Sequence, residues 1–337
     1  MSTTTRIAIN GYGRIGRSLL RVIEAQGQAL EVVAINDLTD PDSMVNLTKY
    51  DSILGRFPAV VARDGDYLVA GQHRIKLLSE TEPADLPWAE LDIDIVLECT
   101  GLFRTHETAS RHIEAGAKKV IVSAPAKGAD ATLVLGINES TYDPASHTII
   151  SNASCTTNCL APLVKVLNDE FGIVEGLMTT IHAYTADQRL HDAPHKDPRR
   201  ARAAAVNMVP TSTGAAKGIG LVIPEVDGKL DGFAMRVPVP TVSGTDLTVT
   251  IRKQGVSVDD VNSAFKKAAA GPLAGPLAYS EDPLVSSDLI ADPHASIFDA
   301  PLTKVIGQTV KVFGWYDNEY GYASRMAETA VYIGERL

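Results

Sequence analysis

Arg6-Ile-Ala-Ile-Asn10-Gly11-Tyr12-Gly13-Arg14-Ile15-Gly16 is the stretch that decides the fold. It opens with a short apolar run that reads as a buried strand. A GxGxxG turn follows, and residues 17–25 read as a helix. A second strand, 31–36, ends at Asp37, about twenty residues past Gly16. Strand, glycine turn, helix, strand and acid each have a task in holding a dinucleotide. Gly11 allows the tight turn, Gly13 lets backbone approach a pyrophosphate, and Gly16 lets helix and strand pack closely. The helix N-terminus faces the phosphates. Asp37 accepts the ribose hydroxyls and repels a 2′-phosphate, which points to NAD over NADP. A glycine-rich turn with no ligand is the bland alternative.

The alternation continues outward. Residues 93–99 are a strand with an apolar core, and Thr100-Gly101 follows at its carboxyl end, where doubly wound sheets place ligands. Residues 105–115 look helical, and 119–122 form another strand that ends at Ser123. Both strand ends are candidates for cofactor contact and equally plain loop. Residues 133–137 and 147–150 are expected to extend the sheet.

Ser151-Asn-Ala-Ser154-Cys155-Thr156-Thr157-Asn158-Cys159 joins that last strand to a helix. Leu160, Leu163, Val164 and Leu167 share one helical face. Ser154 and the threonines are good N-caps, so Cys155 belongs at a helix N-terminus. Unsatisfied N–H groups and the macrodipole there favour a thiolate, lower the thiol pKa and can steady an oxyanion. The competing reading is a small buried hydrophobe, which is also the reading for Cys159. Cys99 is far away and no CxxC pair exists, so zinc finds little support. His182 follows on an alternating segment, 173–184, with room for one helix and a return strand between it and Cys155. That path can bring imidazole to thiol; a satisfied core histidine is the alternative.

Cations stand out in the rest of this acidic chain. Lys196, Arg199, Arg200 and Arg202 cluster in 191–202, diluted by Asp192 and Asp197. They form a solvated or subunit-contact loop, or one of them binds an anionic substrate. Thr211-Ser-Thr213-Gly214 opens another helix, a further anion setting. Arg236 lies in an apolar strand and needs a partner, for which a substrate phosphate is one candidate. Residues 245–252 and 310–316 read as strands, 258–269 as an amphipathic helix, and Asn318 starts a closing helix.

A length of 337 residues suggests two domains, and 45% apolar with 21% charged residues is ordinary for a globular protein. The net charge of −10 disfavours non-specific nucleic-acid binding. Three cysteines make no disulfide framework, and no signal-peptide core or long apolar run occurs, so a cytoplasmic protein without membrane contact is expected. A nicotinamide carries hydride and a thiolate adds to aldehydes. Together they suggest aldehyde oxidation through a thiohemiacetal and a thioester, with Cys155 as nucleophile and His182 as base. The anion-friendly sites suggest a phosphorylated substrate and phosphate as acyl acceptor.

Asn10-Gly-Tyr-Gly-Arg-Ile-Gly-Arg17, Ser151 to Cys159, Pro194-His-Lys-Asp197 and Trp315-Tyr-Asp-Asn-Glu-Tyr-Gly-Tyr322 resemble phosphorylating, NAD-dependent glyceraldehyde-3-phosphate dehydrogenases over essentially the whole chain. The resemblance implies a Rossmann-type NAD-binding domain (1–154 plus 318–337) and an α+β catalytic domain with a mixed or antiparallel sheet (155–317). It implies Gly11, Gly13, Arg14, Ile15, Gly16, Asp37, Thr100, Gly101, Ser123 and Asn318 at the cofactor. Asn318 would hold the nicotinamide amide. Ser154, Thr156, Thr185, Arg200, Thr213, Gly214 and Arg236 would hold the phosphates of glyceraldehyde 3-phosphate and inorganic phosphate, and a homotetramer is the implied assembly. Ala193 stands where the family usually has Leu, near a neighbouring subunit's adenosine ribose, and Ile53-Leu54 replaces Thr-His. Two alternatives remain, a relative oxidising erythrose 4-phosphate with water as acceptor and a non-enzymatic NAD-binding redox sensor.

Overall fold

The computed structural model describes residues 4–27 and 29–337. Residues 1–3, part of the polar lead into the first strand, lie outside the described residues. The chain divides into two compact units. One takes residues 1–135, 139–153 and 323–337; the other takes 136–138 and 154–322.

The first unit begins β1 (Thr5–Asn10), α1 (Arg14–Gln26), β2 (Leu30–Asn36) and α2 (Pro41–Lys49). A small pair, β3 (Tyr50–Asp51) and β4 (Gly55–Arg56), precedes an antiparallel meander of β5 (Val61–Asp64), β6 (Tyr67–Ala70) and β7 (His73–Leu78). Then come β8 (Ile95–Glu98), α3 (His106–Ala109), α4 (Arg111–Glu114), β9 (Lys119–Val122), β10 (Ala131–Thr132) and β11 (Ile149–Ser151). The sheet order is β10-β11-β9-β8-β1-β2-β7-β6-β5. From β10 to β7 all neighbours are parallel, and such strands need apolar residues on both faces. Ile7, Ala8, Ile9, Ile95, Val96 and Leu97 are accordingly inaccessible to solvent. From β1 the chain steps to β2 on one side and later to β8 on the other. The switch point therefore lies at the carboxyl ends of β1 and β8.

Three expectations need correction here. Residues 105–115 are two short helices that meet at Ser110, whose hydroxyl and N–H both donate to the carbonyl of His106, at 2.7 and 2.9 Å. Residues 133–137 form no strand: Leu133 bonds the sheet through its N–H to Ser151 O at 2.9 Å, and the chain turns at Gly136, φ +83°. The closing helix, α8 (Tyr320–Gly334), starts two residues after Asn318. Its later part belongs to this unit, where Thr329 Oγ1 donates to Asn152 Oδ1 at 2.9 Å.

The second unit holds α5 (Cys155–Phe171), β12 (Ile173–Ala183), β13 (Val209–Ser212), α6 (Ala215–Gly218), β14 (Leu230–Val237), β15 (Ser243–Ile251) and α7 (Val258–Ala269). It closes with β16 (Leu277–Ser280), β17 (Ser296–Asp299), β18 (Lys304–Ile306) and β19 (Thr309–Tyr316). Its mixed sheet runs β13-β14-β12-β15-β19-β17-β16, with β18 on β19. The apolar stripe of α5 is fully buried at Leu160, Leu163, Val164 and Leu167. The period-2 alternation of β12 buries Met178, Thr180 and His182 together on one face. No helix among the described residues is long and apolar enough to cross a membrane.

Candidate active site

Cys155 opens α5 with Ser154 as N-cap, whose Oγ accepts the Thr157 N–H at 3.0 Å. Just before it Ala153 takes φ +54°, a conformation that costs a non-glycine residue and turns the chain sharply into the helix. β12 returns beside the helix and sets His182 Nε2 3.5 Å from Cys155 Sγ. His182 Nδ1 lies 2.7 Å from the Ala183 carbonyl, which suits a proton on Nδ1, and beside an Arg236 N–H, which suits a bare one. In the tautomer protonated at Nδ1, Nε2 is the free acceptor directed at the thiol. Arg236 is the direct register partner of His182 on β14. Its Nη1 sits 2.8 Å from His182 Nδ1 and donates to the same carbonyl at 3.1 Å. The buried Tyr316 meets the imidazole edge-on at 5.9 Å, and its hydroxyl bonds both Thr156 and Thr180 at 2.8 Å.

The charges follow from this packing. Burial, then the Arg236 cation, push His182 down to about 3, so it is a neutral imidazole at neutral pH. The thiol corrects the sequence expectation. Burial pushes Cys155 up from its ordinary value, against the Arg236 cation and hydrogen bonds from Thr156 that favour the thiolate. The helix N-terminus is where it was expected, but desolvation wins there. Cys159, one turn on, is buried against Ser296 Oγ and Gly314 O at 3.5 and 3.6 Å, which suits a packing residue.

The anion candidates converge on the same end of the sheet. Arg200 pairs with Asp187, and its Nη2 donates to Ser212 O at 3.5 Å, tying the basic loop to β13. Thr185 Oγ1 donates to the same Asp187. Thr213 Oγ1 accepts the Ala215 N–H at 3.2 Å, and Gly214 caps α6, which is only four residues long. The Nε of Arg236 is buried without a hydrogen-bond partner among the described residues, whereas the Nε of Arg200 faces Asp197 Oδ2 at 3.4 Å. Asn318 is buried, and its amide oxygen accepts from Ser243 Oγ at 2.9 Å; Ser243 Oγ in turn accepts the Ala183 N–H at 3.1 Å. Tyr316 and Asp187 were not singled out from the sequence. Tyr316 occupies an inward position of the alternating β19, which was visible, whereas nothing local marks Asp187.

In the first unit the glycine turn fits a dinucleotide. Gly11 has φ +92°, and a Cβ there would lie 2.6 Å from Thr100 N. A Cβ on Gly16 would lie 2.3 Å from Gly11 O, whereas at Gly13 it would meet nothing within 4 Å, leaving that side open to a ligand. α1 has neither a side-chain cap nor an acid in its first turn, so its N–H groups suit a pyrophosphate. Asp37 accepts from Tyr12 N at 2.6 Å and Thr39 N at 2.9 Å. Burial works against its charge, but these bonds hold its carboxyl below the usual range. Arg14, just ahead of Ile15 on α1, pairs with Asp51, whose Oδ1 accepts the Ile53 and Leu54 N–H groups at 2.9 Å each. The turn uses the backbone of those two residues, which accounts for its tolerance of their side chains. Thr100 and Gly101, φ +73°, end β8, and Ser123 ends β9 with its N–H on Glu98 O.

This doubly wound sheet with its glycine turn and an acid at the end of the second strand, together with a second unit carrying a thiol beside an imidazole, defines the class as NAD-dependent oxidoreductases. The family profile described as glyceraldehyde 3-phosphate dehydrogenase, NAD binding domain, matches residues 5–106, and that of the C-terminal domain matches 154–318. Glyceraldehyde-3-phosphate dehydrogenase 2 of Streptomyces avermitilis is 56% identical over 335 residues, covering 99% of this chain and all of the relative. Glyceraldehyde-3-phosphate dehydrogenase of Mycolicibacterium smegmatis is 58% identical over 341 residues, with 99% and 100% covered. The chain belongs to the glyceraldehyde-3-phosphate dehydrogenase family, and its cofactor is NAD.

Proposed function

We propose that this protein oxidises D-glyceraldehyde 3-phosphate to 1,3-bisphosphoglycerate, with NAD as oxidant and inorganic phosphate as acyl acceptor. The observation that carries the reading is Cys155 Sγ at 3.5 Å from His182 Nε2. His182 Nε2 takes the thiol proton as sulfur bonds to the aldehyde carbon, and returns it to the carbonyl oxygen. A thiohemiacetal on Cys155 results. N–H groups at the start of α5 suit its oxygen. His182 then removes the hydroxyl proton as the oxygen re-forms a carbonyl, leaving a thioester on Cys155. NAD, when bound, supplies the acceptor for the hydride lost from that carbon. Gly11, Gly13, Arg14, Ile15, Gly16, Asp37, Thr100, Gly101, Ser123 and Asn318 are the residues assigned to hold it. A phosphate oxygen then attacks the thioester carbon, the S–C bond breaks, and the sulfur leaves as the thiolate.

The phosphates of substrate and acceptor are assigned to Ser154, Thr156, Thr185, Arg200, Thr213, Gly214 and Arg236. The buried, unpartnered Nε of Arg236 supports this, because a charged donor out of water needs an acceptor. A phosphate held there attacks at high effective concentration and outcompetes water. NADH production is measured with glyceraldehyde 3-phosphate and with erythrose 4-phosphate, each with and without phosphate. Strong phosphate dependence with the triose and weak use of the tetrose are expected. Equal turnover without phosphate or arsenate would favour the hydrolytic relative, and no turnover with either aldehyde would favour a redox sensor. Assembly as a homotetramer and a place in glycolysis belong to the same reading.

A further inference from the structure

Glu98, at the end of β8, is a carboxylate that is 1% exposed, with the buried Asn10 and Asn36 on the adjacent strand ends. Each contact it makes is with a donor. Asn10 Nδ2 donates to Oε2 at 2.6 Å, and His112 Nε2 lies 3.1 Å from the same oxygen. Thr100 N and Thr100 Oγ1 donate to Oε1 at 2.8 and 2.5 Å. The polarity of these bonds is fixed from outside. Trp88 Nε1 donates to His112 Nδ1 at 3.0 Å, so the ring carries its proton on Nε2 and gives it to Glu98. Leu102 N donates to Thr100 Oγ1 at 3.0 Å, which directs the hydroxyl hydrogen to Glu98. On the other side Asn10 Oδ1 accepts from Asn36 Nδ2 at 2.7 Å, and Asn36 exchanges bonds with the backbone of Glu80 at 2.8 and 2.9 Å. The carboxylate thus sets the direction of a hydrogen-bond chain that crosses the ends of β8, β1 and β2.

Those are the strand ends that flank the switch point. Asn10 is followed by Gly11, and Thr100 N is the atom nearest to where a Gly11 side chain would begin. Glu98 holds both partners of that contact. We propose that Glu98 is a positioning residue for NAD, whose charge fixes the glycine turn and the 100–102 segment against each other before the dinucleotide binds. A glutamine there has one acceptor oxygen. It keeps either the two bonds from Thr100 or those from Asn10 and His112, never both sets. The proposal rests on NAD binding by this unit and is independent of the thiol chemistry.

NAD binding by calorimetry, steady-state kinetics and hydrogen exchange test it. In Glu98→Gln the NAD dissociation constant and the KM for NAD are expected to rise about tenfold or more, the scale of one lost charged hydrogen bond. kcat at saturating NAD and the alkylation rate of Cys155 without NAD are expected to hold. A purely structural role predicts the opposite pattern, a lower melting temperature and kcat with NAD affinity unchanged, and that result overturns the proposal. If the variant does not fold, exchange on the wild type decides. Leu102 is 76% exposed, so its amide and that of Thr100 are expected to be protected like β8 only if the Glu98 chain holds them. Exchange at the rate of an open loop overturns the proposal.

Discussion

His182→Asn is the perturbation whose size follows most directly from the structure. The imidazole is 4% exposed, and burial beside the Arg236 cation pushes it from 6.5 down to about 3. The folded protein therefore refuses a proton that the unfolded chain accepts. The sign follows: above pH 6.5 both states are neutral there and nothing is lost, and below it only the unfolded chain gains the proton. Stability falls by about 1.4 kcal/mol per pH unit down to about 3, then levels off. Between pH 7.5 and pH 4.5 the wild type is expected to lose about 3 kcal/mol through this residue, and His182→Asn none through that position. Urea unfolding of both proteins at the two pH values measures the difference, with every other group common to both. A variant as acid-labile as the wild type refutes the buried neutral imidazole. The same variant is expected to lose about 10²–10⁴-fold in turnover, the usual worth of a general base.

Cys155→Ser is expected to abolish aldehyde oxidation while calorimetry still shows NAD binding, since the glycine turn lies in the other unit; substantial residual NADH production would remove Cys155 as nucleophile. Asp37→Ala is expected to lower the NAD-to-NADP ratio of kcat/KM by removing the charge that repels a 2′-phosphate. An unchanged ratio in that variant, or equal use of both cofactors by the wild type, contradicts the reading of Asp37 and gives Ala193 more weight. Arg236→Leu is expected to raise KM for both the aldehyde and inorganic phosphate by about tenfold or more, the scale of a lost charge-assisted bond. A change in only one of them would assign Arg236 to a single anion.

Where the local pattern carried the information, the sequence was enough. The glycine turn, α5 with its buried stripe, the alternation of β12 and the ends of α7 are each properties of neighbouring residues. The meander β5 to β7 was not legible, because its strands are short and β5 buries only Val61. Of the site, the spacing left room for His182 beside Cys155 and only the family resemblance chose that pairing, while the thiol's charge was not legible at all. Helix position is local and favours the thiolate; desolvation is set by everything packed around the sulfur, and it dominates. Asp187 and Glu98 were illegible for a related reason: a carboxylate's role depends on which donors the fold assembles around it.

Arg236 is where these effects meet. Its cation is the second cause, after burial, of the depressed His182, and the leading influence that favours a Cys155 thiolate. Moving the proton from sulfur to imidazole would be helped at one end by this cation and opposed at the other. The opposition acts at contact distance, Nη1 being 2.8 Å from His182 Nδ1, and no direct Arg236 contact with the sulfur is formed among the described residues. Coulomb energy scales inversely with distance, so with nothing bound the balance leaves the proton on sulfur. An anion on Arg236 neutralises the guanidinium and relieves the imidazole most. The base therefore strengthens when a phosphate is seated beside it. In the proposed reaction that means the thiol is activated with its aldehyde in place, and the buried, protonated thiol of the free protein becomes a resting form instead of an argument against Cys155 as nucleophile.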